Sequence, residues 1–243
     1  MSQNVSGIWA YLSASPLLGL TITLLAYQAA YWIFRKAKFH PAANPVLLAV
    51  AMLVVLLQWT GTPYKTYFEG AQFVHFLLGP ATVALAIPLY GQLRRLHAMA
   101  LPLAVALLAG SITAIVSALV IGKLLGASTV TLISLAPKSV TTPIAMGIAE
   151  QLGGLPSLAA LMVLTTGILG AVGGSAVYRL LRIHDPAAKG FAMGLAAHGI
   201  GTARAFQESE QMGAFSALAM GFNGLLTAVL LPVLLPLFAA WLK

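Results

Sequence analysis

Apolar runs nearly empty of charge fill most of this sequence: Ile8–Phe34, Pro45–Trp59, Gly70–Leu93, Ala98–Gly122, Gly126–Ala149, Leu155–Tyr178, Gly190–Ala203 and Gln211–Leu242. A run of about 20 apolar residues matches the roughly 30 Å hydrocarbon core of a bilayer. Backbone polar groups in lipid must be satisfied internally, so such runs read as helices. Composition closes the soluble alternative: 60% of the residues are hydrophobic and only 7% are charged, against about 25% in an ordinary soluble domain. The expected fold is all-α, a polytopic transmembrane helical bundle of about seven or eight segments, built as a single integral membrane domain over residues 1–243. The run from Pro45 to Trp59 is short for a crossing. That from Gln211 to Leu242 is long and carries Pro232 and Pro236, so a tilt or kink is expected there.

Lysines and arginines number 13 against 5 carboxylates. They cluster between apolar runs and lack the aromatic or Gly/Ser interleaving of a nucleic-acid surface, so nucleic acid is not an expected partner. The absence of cysteine excludes disulfides, thiolate nucleophiles and zinc–thiolate or iron–sulfur centres. No metal ligand set or cofactor motif is read elsewhere. Met1–Gly7 lacks the basic region and cleavage site of a secretory signal, so the first helix is expected to remain in the mature protein.

Basic residues favour the cytoplasmic side of a membrane, and the clusters are Arg35/Lys36/Lys38, Arg94/Arg95 and Arg179/Arg182/Lys189. The first two are two segments apart, as a shared side requires. The second and third are three apart, which is incompatible with three full crossings. Gly126–Ala149 is the expected exception, because Pro137 and Pro143 remove backbone donors in its middle and favour a broken or re-entrant element. A weak echo between Leu78–Pro88 and Leu135–Ala145, with Pro80 matching Pro137 and Thr82 matching Ser139, suggests an internal repeat.

Two constellations carry chemistry. In Pro137–Pro143, Lys138 sits in the middle of an apolar segment, where insertion costs roughly 2.5–3.5 kcal/mol and calls for a partner, a wet cavity or a function. A helix restarting after a break offers unpaired N–H groups and a positive dipole end to an anion. Lys138 with Ser139, Thr141 and Thr142 therefore reads as a clamp for a small organic anion; snorkelling to an interface is the bland alternative. In His198–Ala205, glycines permit a local break or close helix approach, and Thr202 and Arg204 offer further anion ligands. Arg204 as an interfacial anchor is its competing reading. His198 is a candidate proton relay, and Glu150 a second proton-coupling candidate directly after the broken segment. Asn223, beside Gly221 and Gly224, reads mainly as helix packing with a hydrogen bond across helices as the alternative, and Gly170 with Gly174 as a GxxxG packing face. Ser175 lacks a nucleophile frame, and with no catalytic residue set the chain is not expected to be an enzyme.

At these constellations the sequence resembles the LrgB/CidB family of bacterial membrane proteins, whose plant relative is the plastid glycolate/glycerate translocator. The resemblance is most specific in "LAPKSVTTPIAMGIAEQLGG" (Leu135–Gly154), "AAHGIGTARAFQ" (Ala196–Gln207) and "GAFSALAMGFNG" (Gly213–Gly224), with "GPATVALAIPLY" (Gly79–Tyr90) also fitting. It implies a multi-pass protein of the bacterial cytoplasmic membrane, surrounded by lipid, that often works with a small LrgA/CidA-type membrane partner. Two functions follow: transport of glycolate-, glycerate- or pyruvate-like monocarboxylates, or holin/antiholin-associated regulation of murein hydrolase export and cell lysis. The residues favour transport, since a lysine, an arginine and broken helices in one bilayer are a costly way to build a regulator alone. Self-association is left open.

Overall fold

A computed structural model of the chain describes residues 16–40, 43–77, 80 and 83–242. Among these, regular structure is entirely helical, as expected. Met1–Gly7, the start of the first apolar run and Lys243 lie outside the described residues. The chain forms two compact units, residues 1–84 and 85–243, each with its own packing.

In the first unit, α1 (Pro16–Lys36) packs against α2 (Pro45–Thr60) and α3 (Tyr64–Phe76). Helix α2 has clear punctuation. The Asn44 side chain accepts from the Val46 and Leu47 N–H groups, Pro45 opens the helix, and Gly61 closes it in the left-handed region at φ 65°. Its 16 residues span only about 24 Å, short of the hydrocarbon core. Thr23 Oγ1 and Tyr67 OH lie 2.7 Å apart and tie α1 to α3.

The run Gly70–Leu93 is not one helix, and here the sequence expectation needs correction. Helix α3 ends at Phe76, and the second unit opens with two short helices, α4 (Ala86–Gly91) and α5 (Leu93–Ala98), parted at Gln92. The run carries Pro80, Pro88 and Gly91, which lack a donor or lower helix propensity. Leu78, Gly79, Ala81 and Thr82, part of the proposed echo, lie outside the described residues.

The rest of the second unit comprises α6 (Ala100–Leu124), α7 (Thr129–Leu135), α8 (Thr142–Gln151), α9 (Pro156–Leu180), α10 (Pro186–Glu208) and α11 (Glu210–Leu242). Among the described residues, α1, α6, α9 and most of α11 are long and apolar enough to cross a membrane. Helix α11 runs as one element through Pro232 and Pro236.

The segment holding Pro137 and Pro143 breaks where the prolines predict, leaving α7 and α8 at 7 and 10 residues. At 1.5 Å per residue neither alone spans a bilayer. They form a re-entrant hairpin, because both its ends lie at one end of the unit. Arg95 donates to Asp185, which joins the residues just before α6 to those just after α9. Helices α6 and α9 are therefore antiparallel, and the chain between them starts and finishes at the other end. The outgoing limb packs Leu132 on Leu119 of α6 and on Ile148 of the returning limb. The returning limb packs Ala145 and Ala149 on Ala159 and Val163 of α9. Ser134 Oγ accepts from the Leu155 N–H at 2.8 Å, tying the base together. The parity conflict among the basic clusters is thereby resolved for the second and third.

Helix α10 repeats the device in the opposite direction. Asp185 caps it by accepting from the Ala188 N–H at 3.0 Å. Its first limb runs back along α9, with Met193 against Gly174, Ala197 against Gly170 and His198 against Gly167. At His198 the backbone leaves the helix (φ 41°, ψ −132°). The second limb then returns: Ile200 lies over Gly167, and Glu208 reaches Ser175. Helix α11 starts beside the base of this hairpin, and Gly190 and Gly194 lie so close to the Met212 and Ser216 carbonyls that no side chain fits between. A spanning helix followed by a re-entrant hairpin thus occurs twice, with opposite orientation. This repeat differs from the pairing that the Leu78–Pro88 echo suggested.

Candidate functional site

A cavity of about 660 Å³ opens near the middle of α6 and α9, where the turn of the first hairpin meets the first limb of the second. Ala109, Gly110 and Thr113 line it from α6, Thr166 and Leu169 from α9, and Leu195 and Ala196 from α10. Lys138 and Ser139 line it from the turn between α7 and α8. The volume falls in the roughly 300–1,000 Å³ range of small-molecule sites, and a mostly apolar wall with a few polar groups is the usual composition of one.

The chain builds this place from its interruptions. Pro137 cannot continue α7, and Pro143 sits in the first turn of α8, where its missing donor is tolerated. The six residues between Leu135 and Thr142 carry Lys138 to mid-depth, and the Lys138 N–H still donates to the Leu135 carbonyl at 3.0 Å. Lys138 Nζ donates to Ser139 Oγ at 3.3 Å. Among the described residues the ion pairs are Arg95–Asp185 and Arg204–Glu208, so no carboxylate neutralises Lys138. Lys138 shares the cavity with Gly110 and Gly170, which lie near the centres of 25-residue helices.

Asn223 joins the two hairpins. Its side chain is 1% exposed, and its Nδ2 donates to the Ser139 carbonyl of the first turn and to the Leu195 carbonyl of α10, each at 3.0 Å. Its Oδ1 accepts from Ser111 Oγ of α6 at 2.6 Å and from Thr227 Oγ1 at 3.3 Å. From sequence, helix packing was the favoured role for Asn223 and a hydrogen bond across helices the alternative; the structure shows the alternative, a four-bond junction beside the cavity. The place of Asn223 between Gly221 and Gly224 in a largely apolar run was the available signal, and the hydroxyls of Thr113 and Thr166 within apolar segments gave a fainter one.

The other residues singled out from sequence fall elsewhere. Thr141 is the residue before α8 and makes no side-chain capping bond, and neither it nor Thr142 lines the cavity. Arg204 is likewise not among the lining residues: its Nη2 pairs with Glu208 at 3.1 Å on the returning limb of α10. Thr202 is buried, donating to the His198 carbonyl and lying 2.9 Å from Ser216 Oγ. His198 is 4% exposed, with Nε2 at 3.0 Å from the Val163 carbonyl. Glu150 sits exposed near the end of α8. The structure therefore brings Lys138 and Ser139 together at one cavity and leaves Arg204 outside it. Gly170 and Gly174 pack inward against α10.

The chain matches the LrgB-like family over residues 23–237. It is similar to protein YwbG of Bacillus subtilis (strain 168), with 37% identity over 219 residues, which cover 90% of this chain and 97% of the relative. Proteins named antiholin-like protein LrgB follow, at 30% identity in Bacillus mycoides (strain KBAB4) and 29% in Bacillus cereus (strain B4264). Each of these alignments covers 91% of this chain and 96% of the relative. No solved structure matches the chain.

Proposed function

The chain belongs to the LrgB-like family of membrane proteins, and on that footing we propose that it passes small organic monoanions, of the glycolate, glycerate or pyruvate kind, through the cavity at Lys138. One observation carries this reading: a lysine without a carboxylate partner among the described residues lines a cavity of about 660 Å³ near the middle of two helices long enough to cross a membrane. A half-buried cation in an apolar wall gains from a counter-charge, and an anion in the cavity supplies it. One cation matches one negative charge. The apolar wall of Ala109, Leu169, Leu195 and Ala196 suits a short carbon chain better than a second carboxylate. Ser139, Thr113 and Thr166 supply hydroxyls for orientation. The protein acts as a carrier in the bacterial cytoplasmic membrane and performs no covalent chemistry. An LrgA/CidA-type membrane protein is its partner in this reading.

The names of the relatives favour a second reading, an antiholin-associated role in regulating murein hydrolase export and lysis. The two readings separate on one residue. Reconstituted protein, with and without the LrgA-type partner, is assayed for uptake of labelled glycolate and pyruvate, and the same Lys138→Met variant is assayed for lysis control in cells. Transport predicts uptake whose half-saturating concentration Lys138→Met raises. An absence of uptake with either composition, together with a lysis phenotype indifferent to Lys138→Met, establishes the regulatory reading instead.

A further inference from the structure

Helices α2, α6 and α8 close through Gly61, Gly126 and Gly153, at φ 65°, 81° and 83°. Glycine suits such a turn, because the left-handed region strains any residue that carries a side chain. Helices α1 and α9 close by the same turn with a cation in that position: Lys38 holds φ 52° and Arg182 φ 55°. The backbone bonds match. The Lys38 N–H donates to the Arg35 carbonyl and the Phe39 N–H to the Phe34 carbonyl, and the Arg182 and Ile183 N–H groups donate in the same way to the carbonyls of Arg179 and Tyr178. At α6 the Gly126 and Ala127 N–H groups repeat the pattern on Lys123 and Gly122.

Compensation of the helix dipole does not account for the choice. Lys123 already places a cation in the last turn of α6, and that helix still closes on glycine. Helix α1 carries Arg35 and Lys36 in its last turn and α9 carries Arg179, so Lys38 and Arg182 each add a further cation beyond the helix end, at a backbone cost glycine would not have.

In each unit the result is an exposed basic turn set among exposed apolar side chains. In the first, Lys36 Nζ lies 5.1 Å from the centre of the Trp32 ring, and Trp32 and Phe39 are both exposed. In the second, Arg179 and Arg182 flank the exposed Leu180 and Leu181. The nearby Asp185 is engaged by Arg95 and by the Ala188 N–H. Among the described residues the ion pairs are Arg95–Asp185 and Arg204–Glu208, and neither includes a cation of these two turns. Basic groups beside aromatic and leucine side chains match the headgroup layer of a membrane, where the charges meet phosphate and the apolar groups enter the acyl region.

We propose that the closing turns of α1 and α9 are binding sites for the phosphate headgroup of an anionic phospholipid, with Arg35, Lys36 and Lys38 forming one and Arg179 and Arg182 the other. A cation occupies each left-handed position because the rigid turn holds it at the headgroup. This inference is independent of the cavity at Lys138.

The test uses the full chain in vesicles of phosphatidylcholine and in vesicles of phosphatidylcholine and phosphatidylglycerol in equal parts. Glycine is the informative replacement, since Lys38→Gly with Arg182→Gly removes one cation from each turn while relieving the backbone. Lipid retained by protein released from the mixed vesicles is counted by mass spectrometry, and unfolding is followed in phosphatidylcholine alone. Wild type should retain phosphatidylglycerol in preference to phosphatidylcholine. The double variant should lose about fivefold of that preference, the effect of one cation at a charged surface, and should unfold close to the wild-type temperature. An unchanged preference in the double variant overturns the inference, as does a wild type that holds both lipids equally. A marked fall in the unfolding temperature also overturns it, by assigning the two side chains to the fold. In detergent, phosphatidylglycerol should stabilise the wild type and inorganic phosphate should not; equal stabilisation by the two identifies a soluble phosphate as the ligand and refutes the assignment to lipid.

Discussion

Replacing Asn223 by leucine keeps a buried side chain of similar length and removes every hydrogen bond the amide makes. Two carbonyls, of Ser139 and Leu195, lose their donor, and the hydroxyls of Ser111 and Thr227 lose their acceptor. Bonds between helices in a membrane average about 0.6 kcal/mol and reach about 1.7 kcal/mol. Four such bonds, with two backbone carbonyls left unsatisfied in an apolar surrounding, amount to a loss of about 2–5 kcal/mol. Ser111→Ala removes one bond and should cost about 0.5–1.5 kcal/mol. The assay is thermal unfolding of the purified full chain in detergent, run as a double-mutant cycle over Ser111 and Asn223. The two residues touch, so their effects should be non-additive by at least about 0.5 kcal/mol. The reasoning is refuted if Asn223→Leu costs no more than Ser111→Ala, or if the two add without coupling.

Three further outcomes follow from the same packing. Gly194→Ala forces a methyl group onto the Ser216 carbonyl, separates α10 from α11 and should lower stability by about 1–3 kcal/mol in the same unfolding assay. Asp185→Ala should cost more than Arg95→Ala, because it removes the α10 cap, worth about 1 kcal/mol, in addition to a half-exposed ion pair worth about 0–1 kcal/mol. Arg204→Met should leave the half-saturating concentration for anion uptake unchanged while reducing stability through the lost Glu208 pair, as parallel uptake and unfolding measurements will show.

The helical membrane class and the broken segment were legible because both follow from local chemistry. Long apolar runs require helices in lipid, and Pro137 and Pro143 deny one stretch its backbone donors. Even the re-entrance was signalled by the spacing of Arg94/Arg95 and Arg179/Arg182, which the Arg95–Asp185 contact now explains. The second hairpin was harder to see. Its turn contains no proline; the reversal rests on a strained histidine beside Gly199, whose conformation is imposed by α9 and α11. Arg204 was misleading for a related reason. It lies six residues after the turn, on a limb that heads back to the base, so a residue near the turn in sequence ends beside Glu208 and Ser175. The place of Asn223 in an apolar run hints at a bond across helices, but its partners lie on three elements distant in sequence, which no local pattern identifies.

The measurement closest to the central claim is the concentration dependence of glycolate and pyruvate uptake by reconstituted wild type, Lys138→Met and Lys138→Arg. A charge-assisted contact contributes about 1.5–3 kcal/mol, which corresponds to about 10- to 100-fold in affinity. Lys138→Met should therefore raise the half-saturating concentration by that factor, with Lys138→Arg recovering part of it by restoring the charge. Saturable wild-type uptake that persists with unchanged half-saturation in Lys138→Met would contradict the assignment of the cavity as the anion path.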